Sequence, residues 1–304
     1  MKNIVAFILM LTSIQAYDYK LVAKEVTKDV YCFFGATEEI RKENAGNIVN
    51  TCFVQTKEGF VVIDSGPTYA YASQAYEEMQ NIAKLPVKYV IVTHDHDDHW
   101  LGNSFYKNKG ALLIGPKTYE QNVAVGMQTR MERSLGKELY AKTSIVALDT
   151  IVDEKLSLTV GEKKFEIIQL VDTAHTKGDL IVYESTASAL FAGDLVFNDR
   201  VTSLRDGSIL GSLKALEKID AYGAKVIVGG HGYKYDSHAT KALKRYLSEM
   251  KVKVFAAINN DIGLEEIVQK VPMPAYENMK LYDILHARNV SDAYRELELY
   301  DEEE

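Results

Sequence analysis

The run Thr93-His94-Asp95-His96-Asp97-Asp98-His99 carries three of the 7 histidines of this 304-residue chain, with carboxylates between them. Imidazole and carboxylate together suit zinc, iron or manganese. The preceding stretch, Val87 to Val92, is apolar and β-branched, and predicts a buried strand. Side chains two apart at a strand end point the same way, so His94 and His96 can grip one ion. Asp98 and His99 fall on the turn that follows and face the same hollow from the other side. That pattern suits two ions sharing one nucleophile.

The same grammar recurs along the chain, with a buried strand followed by a metal-competent side chain at its carboxyl end. His175 follows the apolar strand Phe165 to Val171, Asp194 follows Leu190-Phe191-Ala192-Gly193, and His231 follows Val226-Ile227-Val228-Gly229-Gly230. Strand ends hold groups still while loops admit substrate. His238 and His286 lack any ligand context, and surface or capping roles are expected of them.

These residues resemble the motifs of the metallo-β-lactamase superfamily: His-x-His-x-Asp-His, a later His before Thr, a Gly-Asp after a strand, and a late Gly-His-Gly. Phe60 to Pro67 matches the family's early strand ending in Asp-x-Gly, in which Asp64 would support the metal-bearing loop from behind. The stretches Asn47-Ile48-Val49-Asn50, His175-Thr176-Lys177-Gly178-Asp179 and Phe191 to Phe197, with the tail Tyr294 to Glu298, resemble one exported branch. Its members are called quinoprotein relay system or sulfur-oxidation-associated zinc metallohydrolases. The resemblance implies one zinc on His94, His96 and His175, a second on Asp98, His99 and His231, and Asp194 bridging them. The well-known secreted β-lactamases carry Cys at the place of Asp194 and Ser or Gly at that of His99. An all-His/Asp ligand subclass of β-lactamases exists nevertheless, so β-lactam hydrolysis stays open.

The implied chemistry is hydrolysis of an ester, thioester, lactone or amide in a small molecule by metal-bound hydroxide, since a metal ion lowers the pKa of water from near 16 to about 7. Asp98 would be the catalytic residue that orients the nucleophile. Asp64, Asp95, Asp97 and Asp172 are carboxylates close enough in sequence to anchor the far ring nitrogens, although turn or cap roles compete for the last three. A second activity class is open as well. Persulfide dioxygenases of this fold resemble the same motif but use one iron, on the positions of His94, His175 and Asp194.

Composition narrows the class further. A net charge of −8 argues against nucleic acid as substrate, because tracking phosphates takes an excess of Lys and Arg. Residues 1–16 read as a secretory signal peptide: Met1-Lys2-Asn3, an apolar run from Ile4 to Leu11, and a small residue at Ala16. That run is too short for stable membrane insertion, which needs about 20 apolar residues. The expected location is the periplasm, with a quinoprotein or sulfur-oxidation system as partner. Cys32 and Cys52 sit on neighbouring expected strands, and both a cross-strand disulfide and two buried thiols fit.

The elements that must position these groups are strands at Leu21–Val26, Val30–Phe34, Ile48–Gln55 and Phe60–Asp64, a helix over Tyr69–Leu85, and the strand Lys88–Thr93. A helix over Trp100–Lys107 and a mostly helical insertion over Pro116–Tyr140 come next. Strands near Leu156, Phe165, Leu180 and Leu190, a helix over Gly207–Tyr222 and a strand over Lys225–Val228 follow. Residues 237–304 predict three helical pieces, broken near Asn259-Asn260-Asp261 and Pro272-Met273-Pro274. The fold class is α+β: the αββα sandwich of two mixed sheets flanked by helices, with a helical C-terminal extension, in one domain over 17–304. Loops Gly35–Gly46 and Asn198–Ser208 would wall the substrate cleft. The acidic end, Asp301 to Glu304, reads as a solvated tail.

Overall fold

The computed structural model describes residues 17–124 and 126–300; the expected signal peptide and acidic tail lie outside the described residues. Four strands open the chain as a meander: β1 (Lys24–Thr27), β2 (Val30–Phe33), β3 (Thr51–Gln55) and β4 (Phe60–Ile63). After helix α1 (Tyr69–Ile82), β5 (Val87–Ile91) joins β4 in parallel. Helices α2 (Asp97–Trp100) and α3 (Asn103–Asn108) come next, then β6 (Leu112–Pro116), α4 (Lys117–Asn122), α5 (Arg130–Leu139) and β7 (Thr150–Val152). These seven strands form one sheet in sequence order, antiparallel in its first half and parallel in its second.

The second sheet has order β12-β11-β10-β9-β8, built from β8 (Lys155–Val160), β9 (Lys163–Gln169), β10 (Leu180–Glu184), β11 (Ala189–Phe191) and β12 (Val226–Val228). Helix α6 (Ile209–Ala221) makes the crossover that brings β12 parallel to β11. The inner faces meet in a core that includes Val54, Val61, Ile63 and Ile91 from one sheet and Ile167, Val182 and Phe191 from the other. On the outer face of the first sheet, Tyr71, Ala75 and Met79 of α1 and Phe105 of α3 pack on Phe53, Phe60 and Val90. On the outer face of the second, Leu216 of α6 and the C-terminal helices α7 (Lys241–Ile258), α8 (Leu264–Lys270) and α9 (Tyr282–Leu297) pack on Ile181, Leu190 and Ile227. The layering is the expected αββα sandwich. Among the described residues no helix is long and apolar enough to cross a membrane.

Several expectations change in detail. Strands β6 and β7 had no sequence expectation, and they extend the first sheet to seven. The Pro116–Tyr140 insertion is helical only in α4 and α5, and Gly136, at φ 76°, interrupts the second. His286 is not on the surface: it is buried between the Tyr246 hydroxyl (3.1 Å) and the Val271 carbonyl (3.1 Å), with its ring stacked on Tyr282. Cys32 and Cys52 stand directly opposite in the β2–β3 register and form a disulfide.

Candidate metal centre

All seven expected ligands converge at one end of the sandwich, where β5, β9, β11 and β12 deliver their carboxyl ends. The strand β5 stops at Ile91, so His94 and His96 sit on the bend that follows rather than on the strand itself. Asp98 and His99 lie on the single-turn helix α2, and Asp194 lies on a 3-10 turn, Gly193–Leu195. Two glycines make room. At Gly193, φ is +50° and a side chain would strike Thr93; at Gly230 one would strike the Asp194 carboxylate.

The donors fall into two groups. His94, His96, His175 and Asp194 form one, and Asp98, His99 and His231 the other, with one ligand atom per residue within 4.8 Å of the rest of its group. In the first, His175 Nε2 lies 3.0 Å from His96 Nδ1 and 3.2 Å from Asp194 Oδ2, and His94 Nε2 lies 3.7 Å from that oxygen. In the second, Asp98 Oδ2 is 3.8 Å from His99 Nε2 and 3.6 Å from His231 Nε2. The other Asp194 oxygen, Oδ1, is 3.1 Å from His99 Nε2, and its Oδ2 is 3.3 Å from His231 Nε2, so this carboxylate faces both groups.

Does this set fit metal ions? Four ligands at about 2.0–2.1 Å around a tetrahedral zinc stand roughly 3.4 Å apart, close to the spacings found here. His94 Nε2, His99 Nε2 and Asp194 Oδ1 are buried with no hydrogen-bond partner among the described residues. Buried polar atoms are otherwise almost always satisfied, and these three aim at the shared hollow. The residues fit two ions.

The far side of each ring shows what holds it. His99 Nδ1 donates to Asp64 (2.7 Å), whose other contacts are the Thr93 amide and hydroxyl, both at 2.8 Å. Asp64 therefore supports the metal-bearing loop as expected. His96 Nε2 is held by Asp206 (3.1 Å) and His231 Nδ1 by the Ile48 carbonyl (2.5 Å). His94 Nδ1 meets the Thr93 hydroxyl at 3.1 Å, and His175 Nδ1 is buried without a partner. Asp95 and Asp97 anchor no ring: Asp95 accepts from Asn122, and Asp97 from the Met131 amide and Arg130.

Electrostatics follow the same geometry. Burial alone would raise the Asp98 carboxyl, but the Arg130 guanidinium at 2.6 Å, then His99 and His231, hold it well below the usual carboxylate range. Asp194 is likewise held well below the usual carboxylate range, against its burial, by His231, His99 and His175. Burial drives His94 down, then the neighbouring His99, which keeps it in the neutral, metal-binding form. The carboxylates of Asp194, Asp64 and Asp98 lift His99 despite its burial. Asp206 is lowered, first by its bond to His96 and then by Arg205.

Four residues beyond the sequence-predicted set stand out. Asp206 and Arg200 sit on the 198–208 loop that the sequence marked as a wall, and Arg130 on the insertion. Asp179 accepts from the His175 amide (2.9 Å) and the Thr176 amide (2.8 Å), which fixes the His175 turn. No local signal distinguishes Asp206, Arg200 and Arg130, since each depends on a contact across the chain, whereas Asp179 acts within its own turn, four residues from His175. The resulting cleft, about 300 Å³, is lined by His96, Asp98, His175, Asp194 and His231 at its base, and by both expected loops on its walls.

Residues 45–231 match the family described as the metallo-β-lactamase superfamily. This chain belongs to that superfamily. Relatives include a hydroxyacylglutathione hydrolase of Brucella anthropi, 29% identical over 51% of this chain and 51% of its own length. A linear primary-alkylsulfatase of Pseudomonas sp. is 21% identical over 73% of this chain and 50% of its own length. The chain thus spans about half the length of these two. Metallo-beta-lactamase IND-1 of Chryseobacterium indologenes is 24% identical, over 60% of this chain and 71% of its own. A metallo-beta-lactamase structure from Pontibacter korlensis shares the fold at TM-score 0.60, with 21% identity, covering 75% of this chain and 99% of that one. The superfamily match covers the metal centre and ends at His231, before the C-terminal helices.

Proposed function

We propose that this protein is an exported dinuclear zinc hydrolase that cleaves an ester, thioester, lactone or amide bond of a small molecule. One observation carries the reading: two separate His/Asp groups meet in one cleft, and the Asp194 carboxylate faces both. Two ions so held would supply an acidified water and Lewis acidity at neutral pH. The chain's own residues do the rest. Asp98 turns Oδ2 to the hollow while Arg130 grips Oδ1, so the carboxylate can accept from and orient a nucleophile without rotating away. Asp64, Asp206 and the Ile48 carbonyl lock three rings in their ligating orientation.

Completeness of the second group, Asp98, His99 and His231, favours two metals over the single iron of a dioxygenase, which needs only His94, His175 and Asp194. β-Lactam hydrolysis is the second reading, favoured by the similarity to IND-1. Export to the periplasm is supported by the sequence of residues 1–16 and by the Cys32–Cys52 disulfide, which suits an oxidising compartment. The quoted motifs support the quinoprotein or sulfur-oxidation branch. The core that the C-terminal helices share with the second sheet supports one domain over 17–304. The test is a panel of ester, thioester, lactone, amide and β-lactam substrates, run on chelator-stripped and zinc-reloaded enzyme. Turnover that returns only with zinc supports the reading, and oxygen uptake with a persulfide on an iron-loaded sample rejects it.

A further inference from the structure

Arg200 is a buried cation whose hydrogen-bonding groups are not all satisfied among the described residues. Its side chain lines the cleft and is only 9% exposed, yet its Nε has no hydrogen-bond partner among the described residues. The one hydrogen-bond contact its Nη1 makes among the described residues is with His231 Nδ1, at 3.3 Å. With His231 Nε2 turned to the metal hollow, Nδ1 must carry the proton it gives to the Ile48 carbonyl. Two donors then face each other, and Arg200 has no acceptor there. A buried guanidinium without an acceptor is costly, so a site that keeps one is built for an anion to complete it.

Nor is Arg200 free to swing out to solvent. Its guanidinium lies over the Phe197 ring, 5.6 Å from the centroid, and Phe197 stacks on His231. Its backbone is pinned to the C-terminal extension: the Val201 amide donates to the Lys280 carbonyl, and Asn289 of α9 bonds both the Leu204 amide and the Thr202 carbonyl. The other cleft arginines differ. Arg130 is spent on Asp97 and Asp98, and Arg205 on Asp206. Arg288 is exposed on α9 at the cleft, next to the half-buried Leu285 and to Ile284, which is 50% exposed. Glu38 and Glu39, both exposed, also line the cleft on the 35–46 loop, and neither forms an ion pair among the described residues.

We propose that Arg200, with Arg288 at the cleft mouth, receives an oxyanion carried by an otherwise apolar substrate, whose chain lies on Ile284 and Leu285 of the C-terminal extension. This rests on the hydrolase reading only in taking the bound molecule as a substrate; the anion site itself is a property of the cleft. Guanidinium is the side chain suited to a planar or tetrahedral oxyanion, because its fork donates two parallel bonds. The exposed aliphatic groups beside it fit a hydrocarbon better than a sugar or peptide.

Calorimetric titration of the zinc-loaded full chain with octanoate, 1-octanol and acetate tests it. Octanoate is expected to bind about tenfold more tightly than either control, which each lack one half of the recognition. Arg200→Met should weaken octanoate about tenfold with zinc content unchanged, Arg200→Lys should recover part of that, and Ile284→Asp should weaken octanoate but not acetate. Unchanged octanoate affinity in a zinc-replete Arg200→Met protein would overturn the proposal, because the carboxylate would then sit on the metals. Octanol or acetate binding as well as octanoate would overturn it too. If Arg200→Met fails to fold, Arg288→Met and Ile284→Asp read the same site from exposed positions, and no loss in either rejects it. A working octanoate site on a protein that hydrolyses nothing in the panel would sink the hydrolase reading and leave this inference standing.

Discussion

Replacing Asp64 by Asn changes almost nothing in shape and should nevertheless damage the second metal position. Asp64 is 2% exposed and accepts three hydrogen bonds, from the Thr93 amide to Oδ1 and from the Thr93 hydroxyl and His99 Nδ1 to Oδ2. In Asp64→Asn the amide oxygen must stay on the Thr93 amide, which puts the NH2 group against His99 Nδ1. The Thr93 hydroxyl can turn and accept. The His99 ring cannot, unless its proton moves to Nε2, the atom that would ligate. Losing one charge-assisted bond and fighting the ligating tautomer costs about 1.5–3 kcal/mol, or roughly 10- to 100-fold in affinity at the Asp98-His99-His231 position. In excess chelator the same variant should melt about 3–6 °C lower, at roughly 2 °C per kcal/mol for a chain of this size. Chelator competition against a fluorescent zinc indicator measures the first, and calorimetry of the stripped protein the second. Two ions bound at wild-type affinity in Asp64→Asn would refute the reasoning.

Other substitutions read other parts of the site. Asp194→Ala should keep the fold, lose zinc from at least one position and lose most of the turnover; two tightly held ions with full rate would make this residue a bystander. His96→Ala and His175→Ala should each empty the first position, as metal analysis of the purified variants will show. Arg130→Met frees Asp98 Oδ1 and should lower kcat about 10- to 100-fold while leaving two zinc ions bound, so an unchanged kcat excludes a positioning role for Arg130. The double variant Cys32→Ala/Cys52→Ala should lose about 3 kcal/mol in urea denaturation, as expected for a crosslink closing a loop with sequence separation 20, with zinc content intact. N-terminal sequencing of periplasmic extract should find a chain beginning near Tyr17; recovery of intact Met1 there would reject the signal peptide.

The ligands were legible in the sequence because strand ends leave a local signature. An apolar run followed by His or Asp marks a place where a rigid backbone stops and a side chain is presented, and His94, His175, Asp194 and His231 all carry that mark. Asp64 was legible for the same reason. The residues that complete the site were not. Asp206 reaches His96 across 110 positions, and Arg130 reaches Asp98 across 32. Such contacts depend on how loops fold back, which has no periodicity to read. Asp95 and Asp97 were attractive as ring anchors because they are near the histidines in sequence, yet the bend at 94–96 turns them toward Asn122 and α5. β6 was hidden by Gly115 and Pro116, which interrupt its apolar run, and β7 by its three-residue length. His286 lacked a ligand context because its neighbours Tyr246 and Val271 are 40 and 15 residues away.

Metal stoichiometry tests the central claim most directly. Protein purified without added metal, then dialysed against a buffered low concentration of free zinc, should carry two zinc ions per chain by elemental analysis. His231→Ala should then retain one ion, at the His94-His96-His175 position. A wild-type protein that holds a single ion, unaffected by His231→Ala, would contradict the dinuclear centre.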